Sequence, residues 1–244
     1  MPEPVDFAVF RAEWRDLLRR ITDGSLLNHP LHRGLPADLR QLKDLSFSGD
    51  GEPTTSVHFP AVIDEVTSSL ASHGLGDLPL ILLSNCSMVH RPAVAEALTR
   101  FAAAGGEIHG KLDGGGPGAY ARVDKTAVPF ERTLANLLEA GQRAPLVIQS
   151  LFCQADGIIA DAIEIDHYAD HLSYLLDGGA DLRSVHLHTV ARKPPFAAVK
   201  GLPRSFLEAV AHRVQGREPR LSGRIQCFAG EPRFETGDPL PDLT

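Results

Sequence analysis

The chain has 244 residues, 43% of them hydrophobic, and a formal net charge of −7. That length fits one domain with a large core, and the composition excludes a disordered chain. The acidic balance, with no Lys/Arg-rich run, argues against an electrostatically driven nucleic-acid or membrane surface. The predicted elements then alternate regularly. Residues 5–22 carry Phe7, Phe10, Trp14, Leu17, Leu18 and Ile21 at helical spacing. A polar connection with His29 and His32 follows over 25–41. Leu42, Leu45 and Phe47 mark a short strand that runs into Gly49, Gly51 and Pro53. Helices are expected at Phe59–His73, Pro92–Ala104, Val128–Ala140, Ile163–Leu176 and Ser205–Val214. Strands are expected at Leu78–Leu83, Glu107–Leu112, Leu146–Phe152 and Ser184–Val190, with a further edge strand within Leu221–Phe228. The continuous apolar run Leu78–Leu83 suits a strand buried on both faces.

Strands that alternate with helices imply parallel pairing through right-handed crossovers. Glu52, Asn85, Asp113, Gln149 and Arg192 are all expected just after strands. In α/β barrels the active site is built at that face, and a doubly wound sheet also binds ligands at strand C-termini. Alternation by itself does not separate the two. The three cysteines, Cys86, Cys153 and Cys227, form no disulfide framework and fit a reducing cytoplasm. Glu3, Asp6, Arg11 and Glu13 interrupt any signal-peptide run, and no segment approaches the roughly 18 apolar residues of a membrane span.

The Gly-rich turn Gly49-Asp50-Gly51-Glu52 is read as a notch of backbone amides with one carboxylate, suited to an ammonium group or a sugar hydroxyl. Asp113 has the acceptors for a ribose diol, and Arg192 the fork for a carboxylate. Gln149 projects from an apolar strand and needs a partner. His186 and His188 alternate along one strand and therefore share a face. With Asp113 or Glu52 they could bind a divalent metal, and His186, His188 and Asp113 are the candidate set of a metal-dependent barrel hydrolase.

Phe47-Ser-Gly-Asp-Gly-Glu-Pro-Thr-Thr55 resembles the glycine-glycine-glutamate segment of radical S-adenosylmethionine (SAM) enzymes. The closest subgroup is the iron–sulfur oxidoreductases similar to wyosine-type tRNA synthetases. Leu83–Ser87, Lys111–Gly115 with Tyr120–Val123, Val147–Gln149 and Thr189–Pro195 extend the resemblance over most of the chain, in family order. It implies an α/β fold, a partial TIM-type (β/α) barrel of parallel strands lacking its first strand and cluster loop. It implies one domain over 1–244: an N-terminal helix and connection (1–41), β/α repeats (42–214) and a C-terminal extension (215–244). The SAM contacts implied are Gly49, Asp50, Gly51, Glu52, Ser84, Asn85, Lys111, Asp113, Gln149 and Arg192. Intact relatives hold a 4Fe–4S cluster on CxxxCxxC, take an electron from a donor and cleave SAM reductively. This sequence has no such cysteine triplet. Two further functions stand beside that one: a cluster-free SAM- or nucleoside-binding remnant or subunit, and the barrel hydrolase. A tRNA substrate is in keeping with the subgroup but not with the charge. A cytoplasmic location is expected.

Overall fold

The computed structural model describes residues 6–49, 51–114, 116–124, 126 and 128–243. The first element is α1 (Phe7–Thr22), capped by Asp6, whose carboxylate accepts from the N–H groups of Ala8 at 2.8 Å and Val9 at 3.3 Å. The cap satisfies two donors that no helical turn precedes. A one-turn helix, α2 (Pro30–Arg33), leads to β1 (Leu45–Phe47). Then come α3 (Phe59–Ser72), β2 (Leu80–Ser84), α4 (Pro92–Ala103), β3 (Gly106–Lys111), α5 (Pro117–Val123), α6 (Phe130–Arg143) and β4 (Leu146–Leu151). The chain continues through β5 (Gln154–Ala155), α7 (Ala162–Asp177), β6 (Leu182–His188), β7 (Val199–Lys200), α8 (Arg204–Arg217) and β8 (Ile225–Phe228).

Six strands form one sheet in the order β1-β2-β3-β4-β6-β8, and every pair is parallel. The order never reverses, so the sheet has no switch point of the doubly wound kind. The predicted parallel α/β pattern is the one observed. The two short strands β5 and β7 pair antiparallel beside the ends of β4 and β6. The expected C-terminal strand exists, and β8 is the sixth strand of the sheet.

The sheet has two unlike faces. Alternate residues such as Leu82, Ile108, Ile148, Val185 and Leu187 are fully buried in one apolar cluster. To that cluster α1, α3, α4, α6, α7 and α8 contribute Trp14, Ile63, Phe101, Leu137, Leu172 and Val210. Of the intervening residues, Ile81, Leu83, Gln149 and His186 are only half-buried, while His109 and Val147 are buried. Strand β2 is thus buried on one face, not on both, which corrects the reading of Leu78–Leu83. Its apolar run stays within the β propensity of Ile and Leu whichever face it meets. The seven-residue helix α5 was not foreseen in sequence, because Gly114, Gly116 and Gly118 read as loop punctuation.

Candidate functional site

Five of the predicted polar residues, Glu52, Ser84, Asn85, Lys111 and Asp113, lie at the C-terminal margin of the sheet in two bonded groups. In the first, Glu52 joins the β1–α3 loop to the end of β2. Its Oε1 accepts from the Thr54 N–H at 3.1 Å, the Thr54 hydroxyl at 2.5 Å and the Ser84 hydroxyl at 2.7 Å. Its Oε2 accepts from the Asn85 N–H at 2.7 Å. Ser84 in turn accepts from the Cys86 N–H at 2.9 Å, and the Asn85 side chain accepts from the Ser87 N–H at 2.9 Å. These bonds hold Cys86 at φ 58°, a left-handed backbone uncommon for a residue with a side chain. Glu52 is therefore first a latch between two strand ends, with spare acceptor capacity on Oε2.

The glycines beside it differ from expectation. Neither Gly49 nor Gly51 has a positive φ, and a Cβ at either would enter open space. The turn does not need glycine; its shape comes from Pro53 and the Glu52 bonds. Asp50 lies outside the described residues.

In the second group, buried Asp113 follows β3. Its Oδ1 accepts from the Leu151 N–H at 2.7 Å, and Lys111 Nζ stands 3.6 Å from Oδ2. Asp113 thus ties the end of β3 to the end of β4, as Glu52 ties β1 to β2. Gly114 turns the chain away at φ 77°, where a Cβ would collide with Ala119. Asp124, at the end of α5, is pushed up to about 7 by burial and then by the charge and hydrogen bond of Asp113. One proton shared between two close carboxyls explains the direction.

Gln149 lies within β4 rather than after it. It faces an aromatic and imidazole strip on the face away from the helices. His109 bonds Glu107 through Nε2 at 2.8 Å and Gln149 through Nδ1 at 3.0 Å. The His109 and His186 rings meet edge to face at 5.6 Å, and His188 stacks on Phe228 at 4.7 Å and 11°. His186 bonds the Ser184 hydroxyl at 3.1 Å. Its pKa is pushed down to about 4, by burial first and then by the neighbouring rings of His109 and His188. Burial also lowers that of His188, whose Nε2 finds no partner among the described residues. His186 and His188 do share a face, as the alternation predicts.

Arg192 is exposed just beyond β6, and no hydrogen bond or ion pair joins it to another candidate among the described residues. The structure brings Glu52, Ser84 and Asn85 together, and Lys111 with Asp113, but leaves Arg192 apart. A cavity of about 820 Å³ between α8 and the C-terminal Leu240–Leu243 includes no residue of either group. Sequence reasoning missed His109, Glu107, Asp124 and Phe228. The first two were legible in Glu107-Ile-His-Gly-Lys111, where polar residues alternate at the period of a strand.

The cysteines do not fit an iron–sulfur cluster. Burial pushes the Cys86 thiol up to about 12 and the Cys153 thiol up to about 11, with Glu52 and Asp113 adding to each. A cluster would need three cysteines converging on one point, and among the described residues these do not. Cys227 pairs in register with Leu187, on the helix-covered face of the sheet. No three His, Cys, Asp or Glu residues converge as metal ligands among the described residues, His186, His188 and Asp113 included. Among the described residues, no helix is long and apolar enough to cross a membrane. No family model matches the chain, and the comparison with curated proteins returns no match.

Proposed function

We propose that this chain is a radical-SAM-type partial barrel in a cluster-free form, which binds SAM or a related nucleoside along the C-terminal margin of its sheet. The observation that carries this reading is the Glu52 group. It is a carboxylate fixed between the ends of β1 and β2, with Oε2 receiving, among the described residues, only the Asn85 N–H. That oxygen has a lone pair left for an ammonium group. Lys111 and Asp113 close the neighbouring strand end, where Asp113 Oδ2 suits a ribose hydroxyl. The unreversed strand order and the single helix-bearing face support a barrel wall over a two-layered alternative. The half-open strip of Gln149, His186 and Phe228 offers neutral rings and hydrogen-bonding edges to a planar base.

In relatives with a complete cysteine loop, SAM supplies a 5′-deoxyadenosyl radical once a cluster reduces it. With no fitting cluster ligands, no such step is assigned here, and the role of these residues is to hold and orient. The hydrolase alternative is not adopted, because its three ligands do not converge.

The test is equilibrium dialysis of the purified chain against SAM and S-adenosylhomocysteine, with iron and sulfide measured after anaerobic reconstitution. Saturable one-site binding without iron is expected. A Lys111→Met, Asp113→Asn double variant should weaken it about tenfold or more. Absence of saturable binding at millimolar nucleoside would refute the proposal. Stoichiometric iron and sulfide would overturn its cluster-free part.

A further inference from the structure

The helix α5 is fastened to its surroundings by contacts of different kinds. Tyr120 bonds the Thr133 hydroxyl of α6 at 2.9 Å and meets the Phe130 ring edge to face. Arg122 donates to both carboxylate oxygens of Glu164 on α7, at 2.8 and 3.1 Å. Val123 packs on Cys153, Ala155 and Val190, a small apolar cluster separate from the main core. The last contact is a carboxyl pair. Asp124 caps α5, and its N–H donates to the Tyr120 carbonyl at 2.9 Å. Its half-buried side chain hydrogen-bonds the carboxyl of Asp113 at the end of β3. Asp113 is only 2% exposed, and its Oδ1 already accepts from the Leu151 N–H. A carboxylate has no donor, so a bond between two carboxyls requires a proton on one of them.

We infer that Asp113 and Asp124 form a proton-operated catch for α5: with one proton between them the end of the helix is fastened to the end of β3, and when that proton leaves the two carboxylates repel and the last turn of α5 draws away. The other contacts of α5 do not involve a shared proton, so the helix stays attached through Tyr120 and only its end is released. With the turn withdrawn, Asp113 has a free acceptor at the strand margin. The catch thus controls access to that carboxylate, whatever ligand the margin holds, and does not depend on the SAM reading.

The surroundings set the pH at which it works. Burial first, and then the charge of Asp113, push Asp124 up to about 7, against the opposing ammonium of Lys111. Tyr120 on α5, Tyr168 on α7, Cys153 beyond β4 and His188 on β6 also feel the charge of Asp113. Burial pushes the two phenols and the thiol up and the imidazole down, so all four are neutral at pH 7. The Arg122 guanidinium is engaged by Glu164. A carboxyl raised in the folded state stabilises below its folded pKa and loses that effect as pH rises through it. The catch therefore holds below neutrality and opens above it.

The test is amide hydrogen exchange of the whole chain, with protection corrected for the intrinsic pH dependence of exchange. From about pH 6 to about pH 8, the amides of Tyr120–Asp124 should lose protection about fivefold, somewhat under the tenfold of a fully buried carboxyl. The amides of α6 should not change. In Asp124→Asn the side-chain amide donates to Asp113 at every pH, so protection of α5 should stay level. In Lys111→Met the opposing charge is gone, and the loss should move to higher pH. Constant protection of α5 in the parent, or the same pH dependence in folded Asp124→Asn, would overturn the inference. An equal loss over α6 and the sheet would overturn it as well, because the whole fold rather than the catch would then be titrating.

Discussion

Glu52 is the residue on which the margin of the sheet turns, and its removal should be felt without any ligand. Glu52→Ala deletes four hydrogen bonds at once. They are not equal. Asn85 is exposed, so its N–H can return to water, and the Ser84 hydroxyl keeps the bond it accepts from the Cys86 N–H. Thr54 is only 1% exposed, so its N–H and hydroxyl are left stranded. Taking about 1.5 kcal/mol for each stranded bond to a charged acceptor, the loss is about 3 kcal/mol. For a chain of this size that lowers the melting temperature by about 6–12 °C. Glu52→Gln is the sharper variant. Its amide keeps one oxygen but turns an N–H₂ toward either Asn85 N–H or the Thr54 donors, setting donor against donor. It should lose about 2 kcal/mol by the same count. A merely solvated glutamate would tolerate the change within about 0.5 kcal/mol. Differential scanning calorimetry at neutral pH decides the matter. If both variants melt within about 1 °C of the parent, the latch does not exist.

Two pH effects of opposite sign should be visible in denaturant titrations. His186 is held neutral in the folded chain, near 4 against an ordinary 6.5, so the unfolded state takes up the proton first and stability falls as pH drops between those values. The nominal loss of about 3 kcal/mol shrinks to about 1.5 kcal/mol for a half-exposed ring, and His186→Phe should flatten the acid limb. Asp124 is raised from 3.8 to about 7, so stability declines as pH rises through that window. Asp124→Asn should therefore stabilise by about 2 kcal/mol at pH 8, after the same discount for exposure, and change little at pH 4. The glycines give the last contrast. Gly49→Ala and Gly51→Ala should each stay within about 0.5 kcal/mol of the parent, since space and backbone both permit a side chain. Gly230→Ala drives a Cβ into the Val190 carbonyl oxygen and should cost more than about 2 kcal/mol in urea unfolding.

Much of the sheet was legible because its strands and helices differ in period. Ile148, Val185 and Leu187 face the helices, and the residues between them face away, as alternation requires. The length of α3 was equally readable. What failed was local. A Gly-x-Gly-Glu string looks like a backbone that needs glycine, yet neither glycine uses that freedom. The glutamate is the ordered element, held by donors up to 33 residues away that a linear reading does not connect. The same holds for Asp113, whose partner Leu151 is 38 residues on. The alternation in Glu107–Lys111 puts His109 on the open face, but Gln149 and His186 stand diagonally from it, two residues beyond its register partners Val147 and Ser184, and a linear reading does not connect them.

The strand order has one more effect. A wall that does not close on itself has two rims with unpaired peptide groups, and such rims invite other chains to add on. Here both are kept small: three residues at one end, with outward Ser46, and four at the other, with outward Gln226. Brevity and polarity at the rims disfavour edge-to-edge pairing between copies, so an open wall that exposes the imidazole strip offers little backbone for another strand to add to.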